Sequence, residues 1–392
     1  MQEASHHGQV IREYRESRAG ITQEELARRI GKSRRTVVSL EQTARIGDLK
    51  VRRTLVLALQ IPPALLGLSD IVVPEAVVLT PVEAASEGRN LSRMVLETFT
   101  ENLRMRLDLY YLSAVSADKN LNAQIQALTQ LLQKSGQRDR GVLLTLLSHN
   151  YQIKGMIARD QLDFKTAEQC FKQASLLAQE AGCAELNALT LSRRAVMYCW
   201  QERFEESAQL YEAAREIAKR GSPALRAHMA TGYAEVQARL GDQRCLISLT
   251  EARSLLRRVD LEDDPLLLLH STRASERAIN DGWSQCHTFL GKPEIALESY
   301  EKSEQLLEPS LARMRARLYI QQAEALYASK DMSCCFYAEE GLKLARAVDS
   351  QYNIWRVRQL ATKLGSKFPA DERVKGLLKA VSSLVSLPQP IH

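Results

Sequence analysis

Three basic side chains, Lys32, Arg34 and Arg35, occur within four positions directly after Gly31. An arginine guanidinium can donate two parallel hydrogen bonds to O6 and N7 of guanine, and a lysine ammonium can neutralise a phosphate. Residues of these types at this spacing suit a polyanionic partner. The alternative is a charged, solvent-exposed helix that contacts nothing.

Two short helices are predicted to position this basic cluster. Thr22 and Glu25 form a capping box, in which the hydroxyl accepts a backbone N–H and the glutamate returns a bond. Gly31 ends the first helix because glycine adopts the left-handed conformation at little cost, and Ser33 caps the second. This is the helix-turn-helix pattern. Its predicted buried residues are Leu26, Ala27, Ile30, Val37 and Leu40.

In that geometry the N-terminal residues of the second helix reach base edges in the major groove of DNA. Arg34 and Arg35 are predicted to lie at the groove floor, and polar residues around the turn are predicted to contact phosphates. A homodimer is expected, because two-fold partners bind two half-sites. The predicted DNA-contacting residues are Gln23, Lys32, Ser33, Arg34, Arg35, Thr36, Val38, Ser39, Arg45 and Lys50, with Arg52 and Arg53 extending the phosphate contacts.

The charge of the chain is unevenly distributed. The 392 residues carry a net charge of +6. Residues 1–70 contain twelve Lys and Arg against eight Asp and Glu, and residues 28–53 contain nine against two. This local excess favours a polyanionic partner for the N-terminal region only.

The segment "IREYRESRAGITQEELARRIGKSRRTVVSLE" resembles the Cro and phage-repressor family of XRE-type (xenobiotic-response-element) helix-turn-helix proteins. The resemblance covers residues 8–68 and includes the Thr22–Gln23 start, the Leu26–Ala27 pair and Glu41. It implies a five-helix domain ending near residue 68. The family usually has a glycine two residues after the glutamate and a proline before the next helix. Here Thr43 and the "IGD" stretch occupy those places.

Residues 69–88 have two prolines and no helical period, which predicts an extended linker. Beyond it, residues 155–182 and 195–221 align with a spacing of 40 residues, and weaker copies follow. Helix–turn–helix units are predicted, with turns at Asp163, Arg203, Gly241, Gly291 and Lys330.

These units resemble tetratricopeptide repeats through Gly155, Ala167, Phe171 and Ala174. Because one such pair cannot bury its apolar face alone, the units are predicted to stack into a right-handed α-solenoid with a concave side. The predicted fold is therefore all-α, with a helix-turn-helix domain at 1–68, a linker at 69–88 and a repeat domain at 89–392.

This domain order resembles the peptide-sensing quorum regulators of bacteria (the RRNPP group). The resemblance implies that a short signalling peptide binds the concave surface and controls DNA binding. Amide and guanidinium side chains can hydrogen bond a peptide backbone or a carboxylate. The predicted ligand-binding residues are Asn150, Gln152, Arg159, Asn187, Arg194, Arg226, Asn280 and Gln321.

No motif in the sequence indicates catalysis or a metal site. GxGxxG, GxSxG and HExxH are absent, and "GKS" at 31–33 lacks the earlier glycine of a phosphate loop. No apolar run approaches the length of a membrane span, and the seven cysteines form no CxxC pair. A cytoplasmic, nucleoid-associated protein without enzyme activity, cofactor or membrane partner is expected.

Three functions remain open from the sequence. The first is a transcription regulator whose repeat domain binds a peptide or another ligand. The second is a regulator whose repeat domain recruits a protein partner without a diffusible ligand. The third is a scaffold or adaptor whose helix-turn-helix does not bind DNA.

Overall fold

The computed structural model describes residues 6–19, 21–44, 46, 48–59, 61, 66, 93–112, 114–258, 274–307 and 311–382. Every regular element within these ranges is a helix. The chain divides into two compact units, whose described residues lie within 6–66 (unit 1) and 93–382 (unit 2). The predicted domain limits and the predicted linker at 69–88 lie outside the described residues.

Unit 1 is built on one apolar core to which every described helix of the unit contributes. The predicted core residues Leu26, Ala27, Ile30 and Val37 are buried, and Leu40 packs against them half-buried. The segment of the predicted fifth helix falls outside the described residues except for Ile61 and Leu66, which are buried in this core. The helices are α1 (His7–Glu13), which continues as a π-helix over Tyr14–Ala19, then α2 (Gln23–Arg29), α3 (Arg34–Gln42) and α4 (Leu49–Leu59).

The predicted caps and turn of the helix-turn-helix are present. The backbone N–H of Glu25 donates to Thr22 Oγ1 at 3.1 Å, and Gly31 has a φ of 62°. Ser33 Oγ accepts from the backbone N–H of Thr36 at 3.2 Å. One detail of the capping box differs, because the Glu25 carboxylate accepts from the guanidinium of its i+4 neighbour on α2 instead of returning a bond to the cap.

The loop after α3, which lacks the usual glycine and proline, is held by the start of α1. The backbone N–H groups of His7 and Gly8 donate to the carbonyl oxygens of Ala44 and Thr43, at 3.0 and 3.1 Å. The backbone N–H of Ile46 donates to His7 Nδ1 at 3.0 Å. Contacts with a distant helix therefore replace the missing turn residues.

Unit 2 is a series of helices joined mainly by short turns. The helices are α5 (Arg93–Leu112), α6 (Ala114–Asp118), α7 (Leu121–Lys134), α8 (Gln137–Asp160), α9 (Phe164–Glu180), α10 (Ala184–Trp200), α11 (Phe204–Ala218), α12 (Pro223–Arg239), α13 (Cys245–Leu256), α14 (Glu276–Phe289), α15 (Pro293–Gln305), α16 (Ala312–Ala328), α17 (Cys334–Ala347), α18 (Gln351–Lys367) and α19 (Glu372–Ser382).

The five predicted turns between paired helices are present, each at or next to a residue with positive φ. This conformation ends the preceding helix and lets the chain reverse. The paired helices pack closely at small residues: a Cβ on Gly155 would lie 2.7 Å from the ring of Phe171, which fills that space. The positive-φ residues at the turns are Leu162, Glu202, Gly241, Gly291 and Lys330.

The first helices of successive hairpins, α8, α10, α12, α14, α16 and α18, pack against one another in order. The last of them, α18, also packs against the first, α8. Ser350 Oγ, at the start of α18, donates to Asp160 Oδ1 at 2.7 Å, and Gln161 Nε2 donates to the carbonyl oxygen of Asp349 at 3.1 Å. The first and last hairpins of the row therefore meet, and the row closes into a ring. The tetratricopeptide identity, the handedness and the ligand-binding concave side of the repeats stay predictions.

Candidate DNA interface and buried arginine cluster

The N-terminal end of α3 presents the predicted basic residues to solvent. Lys32, Ser33, Arg34 and Arg35 are all exposed. Among the described residues, neither arginine nor Lys32 forms an ion pair, so their charges are available to a partner. Ser39 is exposed one turn further along the same helix.

Arg15 and Glu41 hold α3 against the rest of unit 1, and Gln23 joins the same network. Arg15 Nε donates to Glu41 Oε1 at 2.5 Å, and a second guanidinium nitrogen donates to Glu41 Oε2 at 3.2 Å. Arg15 also donates to the carbonyl oxygen of Ile21 at 3.1 Å. The hydrogen bond that Arg15 donates to Glu41 contributes most to raising the pKa of Arg15 above its ordinary value. This pairing was not predicted, although Glu41 was part of the family pattern.

Gln23 is part of the same network. Its amide Nε2 donates to Glu41 Oε2 at 2.8 Å, and the residue is half-buried. The sequence interpretation assigned this side chain to DNA contact alone. The structure adds an internal role: the start of α2 is tied to the end of α3. Contact with a phosphate stays a prediction.

The remaining predicted contacts differ in what the structure describes of them. Thr36 and Val38 are half-buried on α3. Arg45 lies outside the described residues, as does the side chain of Lys50. Arg52 was predicted to contact phosphate, but its guanidinium donates to the carbonyl oxygen of Leu66 at 3.2 Å.

The predicted ligand-binding residues do not form one stripe, which corrects the sequence interpretation. Only two of the eight, Arg159 and Gln321, line the cavity inside the ring of unit 2. Asn150 and Gln152 are fully buried, and Asn150 Nδ2 donates to the carbonyl oxygen of Leu146 at 2.8 Å. The reason is helical geometry, because polar residues on one helix can point into a neighbouring hairpin instead of the ring interior.

The other four predicted ligand residues lie outside this cavity, and three of them have hydrogen-bond partners there. The Arg194 guanidinium pairs with the Glu168 carboxylate through two nitrogens. Asn187 Oδ1 accepts from the Ser175 hydroxyl at 2.6 Å. In addition, Asn280 Oδ1 accepts from Arg253 at 2.9 Å, and Arg226 lies in a separate surface hollow beside Arg215.

The cavity inside the ring of unit 2 has a volume of about 140 Å³. Two other hollows of the unit hold about 310 and 420 Å³. Helices α5, α8, α10, α12, α14, α16 and α18 contribute to its lining. Six arginines and two carboxylates are among the lining residues, and most of these arginines were missed from the sequence. A recurrence of arginine on the first helices of successive hairpins was the signal that could have identified them. The charged lining residues are Arg159, Arg193, Arg239, Arg313, Arg317, Arg356, Asp160 and Glu235.

Carboxylates lie against several of these arginines. Arg313 lies 2.7 Å from Asp160 Oδ2, and its other terminal nitrogen donates to the carbonyl oxygen of Val348 at 2.9 Å. Two nitrogens of Arg356 donate to Glu324, at 3.1 and 2.6 Å. These bonds connect α8, α16 and α18, so they also hold the ring closed.

Arg159 and Arg193 form the most cationic part of the cavity. Arg159 donates to the carbonyl oxygen of Arg193 at 3.3 Å and lies 4.3 Å over the ring of Trp200. The same indole stacks on Tyr352, with 3.6 Å between ring centroids. Burial, together with the charge of Arg159, lowers the pKa of Arg193 to about 10. Arg193 therefore remains charged at neutral pH.

Other classes of site are not found in the part of the chain that is described. Its His, Cys, Asp and Glu side chains form no group of three or more that could hold a metal ion. None of its helices is long and apolar enough to cross a bilayer. The seven cysteines are free thiols, six of them buried. The absence of catalytic activity stays a prediction.

Comparison with known proteins agrees with the geometry of unit 1. Residues 11–46 match the family model described as Helix-turn-helix. This segment runs from α1 to the loop after α3 and contains the exposed basic cluster and the Arg15–Glu41 pair. A search of the curated proteins found no relative of the chain. The N-terminal unit therefore carries a helix-turn-helix of the XRE type.

Proposed function

We propose that this protein is a sequence-specific DNA-binding transcription regulator. In this proposal unit 1 binds duplex operator DNA, and unit 2 binds a ligand that changes the affinity for DNA. The observation that carries the proposal is the exposed start of α3. There Lys32, Arg34 and Arg35 meet no carboxylate among the described residues, within a segment that matches the helix-turn-helix family.

The chemistry of the cluster fits a division of tasks. Arg34 and Arg35 begin the helix that enters the major groove in this motif, where an arginine can read guanine through two hydrogen bonds. Lys32 precedes the helix and suits a phosphate. The buried Arg15–Glu41 pair fixes α3, which reduces the entropy lost when DNA binds.

Dimer formation belongs to the same proposal. A single helix-turn-helix contacts one half-site, and dimers bind two half-sites about 34–36 Å apart. Sedimentation of the full chain at micromolar concentration, with and without DNA, tests this. A monomeric mass in both conditions contradicts it.

The decisive experiment selects DNA sequences from a random pool and measures binding by fluorescence anisotropy over a salt series. Each neutralised phosphate contributes about 0.9 to the slope of log affinity against log salt. Arg34→Ala with Arg35→Ala should abolish selective binding. The matched control is Arg257→Ala with Arg258→Ala, which removes two adjacent exposed arginines from unit 2. Equal binding by both double variants, or a slope near zero, contradicts the proposal and favours a scaffold.

A second candidate for unit 2 is recruitment of a protein partner. Leu176, Ile247 and Phe336 are 60%, 69% and 61% exposed on α9, α13 and α17, the second helices of three hairpins, and exposed apolar side chains suit a protein interface where they form one patch. A signalling peptide is a further candidate. The cavity of about 140 Å³ is smaller than the roughly 300–1,000 Å³ of pockets for larger ligands, so a peptide would also have to occupy the hollow of about 310 Å³ that shares Trp200 and Tyr352 with it.

A further inference from the structure

The arginine-lined cavity of unit 2 contains hydrogen-bonding groups that no protein atom satisfies. Arg159 Nε, Gln321 Oε1 and Asn353 Oδ1 are buried and have no hydrogen-bond partner among the described residues. All three residues line the same cavity. A buried polar atom without a partner costs free energy that a bound molecule can recover. The cavity therefore has the unmet polar groups of a binding site.

The charge of the lining identifies the class of molecule. Six arginines and two carboxylates line the cavity. Four of these arginines pair with carboxylates: Arg239 with Glu235, Arg313 with Asp160, Arg317 with Asp281 and Arg356 with Glu324. Arg159 forms no ion pair with any described residue, although it is only 7% exposed. A guanidinium removed from water is costly unless an anion lies beside it. The nearby Arg193, whose pKa burial lowers to about 10, adds a second positive charge.

The size of the cavity limits the anion. Its volume of about 140 Å³ is close to that of a protein cavity of roughly 150 Å³ that holds benzene. A phosphate or a small carboxylate of a few carbon atoms fits this space. A second hollow of about 310 Å³ shares Trp200, Arg239, Tyr352 and Arg356 with the cavity. Gln321 Oε1 and Asn353 Oδ1 accept hydrogen bonds, so a hydroxyl group on the ligand would also find partners.

We propose that this cavity binds a small oxyanion, with Arg159 as its principal charged contact. A hydroxyl group on the ligand, such as the one that orthophosphate carries at neutral pH, donates to Gln321 Oε1 or Asn353 Oδ1, and sulfate and succinate lack this donor. Phosphate and carboxylate groups share the required chemistry, because each presents oxygen acceptors to a guanidinium fork. The ligand holds α8, α16 and α18 together, since its contacts come from all three helices. An effect of the ligand on DNA affinity rests on the proposed function of unit 1. Binding of the ligand to the cavity does not depend on that function.

The test titrates the full chain with orthophosphate, sulfate and succinate, each at constant ionic strength balanced with chloride. Binding is followed by thermal unfolding and by the fluorescence of Trp200, which stacks between Arg159 and Tyr352. We expect a saturable rise in the unfolding midpoint with at least one oxyanion. The comparison of orthophosphate with succinate distinguishes a phosphate site from a carboxylate site.

Arg159→Gln should weaken the apparent affinity by about tenfold or more, because a charge-assisted hydrogen bond contributes that much or more. Arg159→Lys should restore part of the affinity. The matched control is Arg194→Gln, which removes a guanidinium on α10 that pairs with Glu168 outside the cavity. A control that loses as much affinity as Arg159→Gln contradicts the site.

If Arg159→Gln does not fold, the fluorescence titration of the wild-type chain and of Trp200→Phe decides the question. A saturable change in the wild type that disappears in Trp200→Phe supports the site. The absence of a saturable response to all three anions overturns it and leaves bound water as the occupant. DNA affinity is measured on the same samples. Anion binding without DNA binding removes the proposed function while this site remains.

Discussion

Arg15 Nε lies 2.5 Å from Glu41 Oε1, and the two side chains are 8% and 5% exposed. The pair joins the π-helical segment after α1 to the end of α3, while Gln23 adds a bond from the start of α2. One carboxylate therefore organises the three elements that surround the recognition surface. The stability of unit 1 and its geometry toward DNA should depend on this pair.

We expect Glu41→Gln to lower the free energy of unfolding of unit 1 by about 1.5–3 kcal/mol, because it removes a buried charge-assisted pair and leaves Arg15 with only the half-exposed Glu16 as counter-charge. Thermal unfolding followed by circular dichroism measures the change. Glu25→Gln is the control, since its pair with Arg29 is exposed and worth at most about 1 kcal/mol. Equal losses in the two variants would contradict the organising role of Glu41.

Gly8→Ala should destabilise unit 1 by about 1–3 kcal/mol. A Cβ at this position overlaps the carbonyl oxygen of Glu41, so α1 and α3 must separate. Gly141→Ala is a control of opposite sign. No heavy atom lies within 4 Å of its Cβ position in helix α8, and alanine there should stabilise by about 0.5–1 kcal/mol. Chemical denaturation of both variants measures the two changes.

Arg34 and Lys32 should affect DNA binding in different ways. Arg34→Ala is expected to cost about 1–3 kcal/mol and to relax sequence preference at one base pair, because it removes a base contact. Lys32→Ala should weaken all sequences similarly and reduce the salt slope by about 0.9. Anisotropy with the selected site and single-base variants distinguishes the two effects. A uniform loss with Arg34→Ala would show that this arginine contacts phosphate instead.

Closure of the ring should depend on Asp160. Asp160→Asn keeps the shape of the side chain but removes the charge beside the buried Arg313, at an expected cost of about 3–5 kcal/mol. Amide hydrogen exchange should accelerate in α8 and α18, where Ser350 also loses its carboxylate partner. Glu180→Gln is the control, because its pair with Arg140 is exposed and costs at most about 1 kcal/mol. Unchanged exchange in α18 would argue against closure through Asp160.

Unit 2 should lose stability in mild acid through His149. Burial, and next the charge of Arg193, lower the pKa of His149 to about 3 in the folded chain. The unfolded state takes up the proton near the ordinary value of about 6.5, so stability falls as pH decreases from about 6.5 toward 3. This one group contributes a slope of about 1.4 kcal/mol per pH unit. In His149→Gln the slope of unfolding free energy against pH should decrease by that amount. The difference in unfolding free energy between the variant and the wild type at pH 8 reports the change in packing alone.

Unit 1 was the more predictable part of the chain. Thr22, Gly31 and Ser33 occupy the cap and turn positions that their chemistry predicts, and the helices begin and end there. Such signals depend on a few neighbouring residues, so they can be recognised along the sequence. Burial of Arg15 against Glu41 joins residues 26 positions apart and had no local signal.

The ligand prediction was less accurate for a physical reason. Asn150 and Arg159 share helix α8, but only Arg159 lines the cavity. The angle and register of packing decide which side of a helix meets a neighbouring helix. The sequence periodicity of one helix does not show which of its polar residues will face the cavity. A residue type suited to ligand binding therefore did not identify the residues that surround the space.

The sequence by itself determined the helices, their caps and turns, and the exposed basic cluster around Arg34, because each depends on short-range backbone and side-chain chemistry. The tertiary structure alone decided that α18 returns to α8, placing Ser350 beside Asp160 across 190 positions. Whether the row closes depends on the packing angles between all successive hairpins taken together. No single residue or short sequence motif determines that total angle. It is this closure that gathers arginines from separate helices around one cavity.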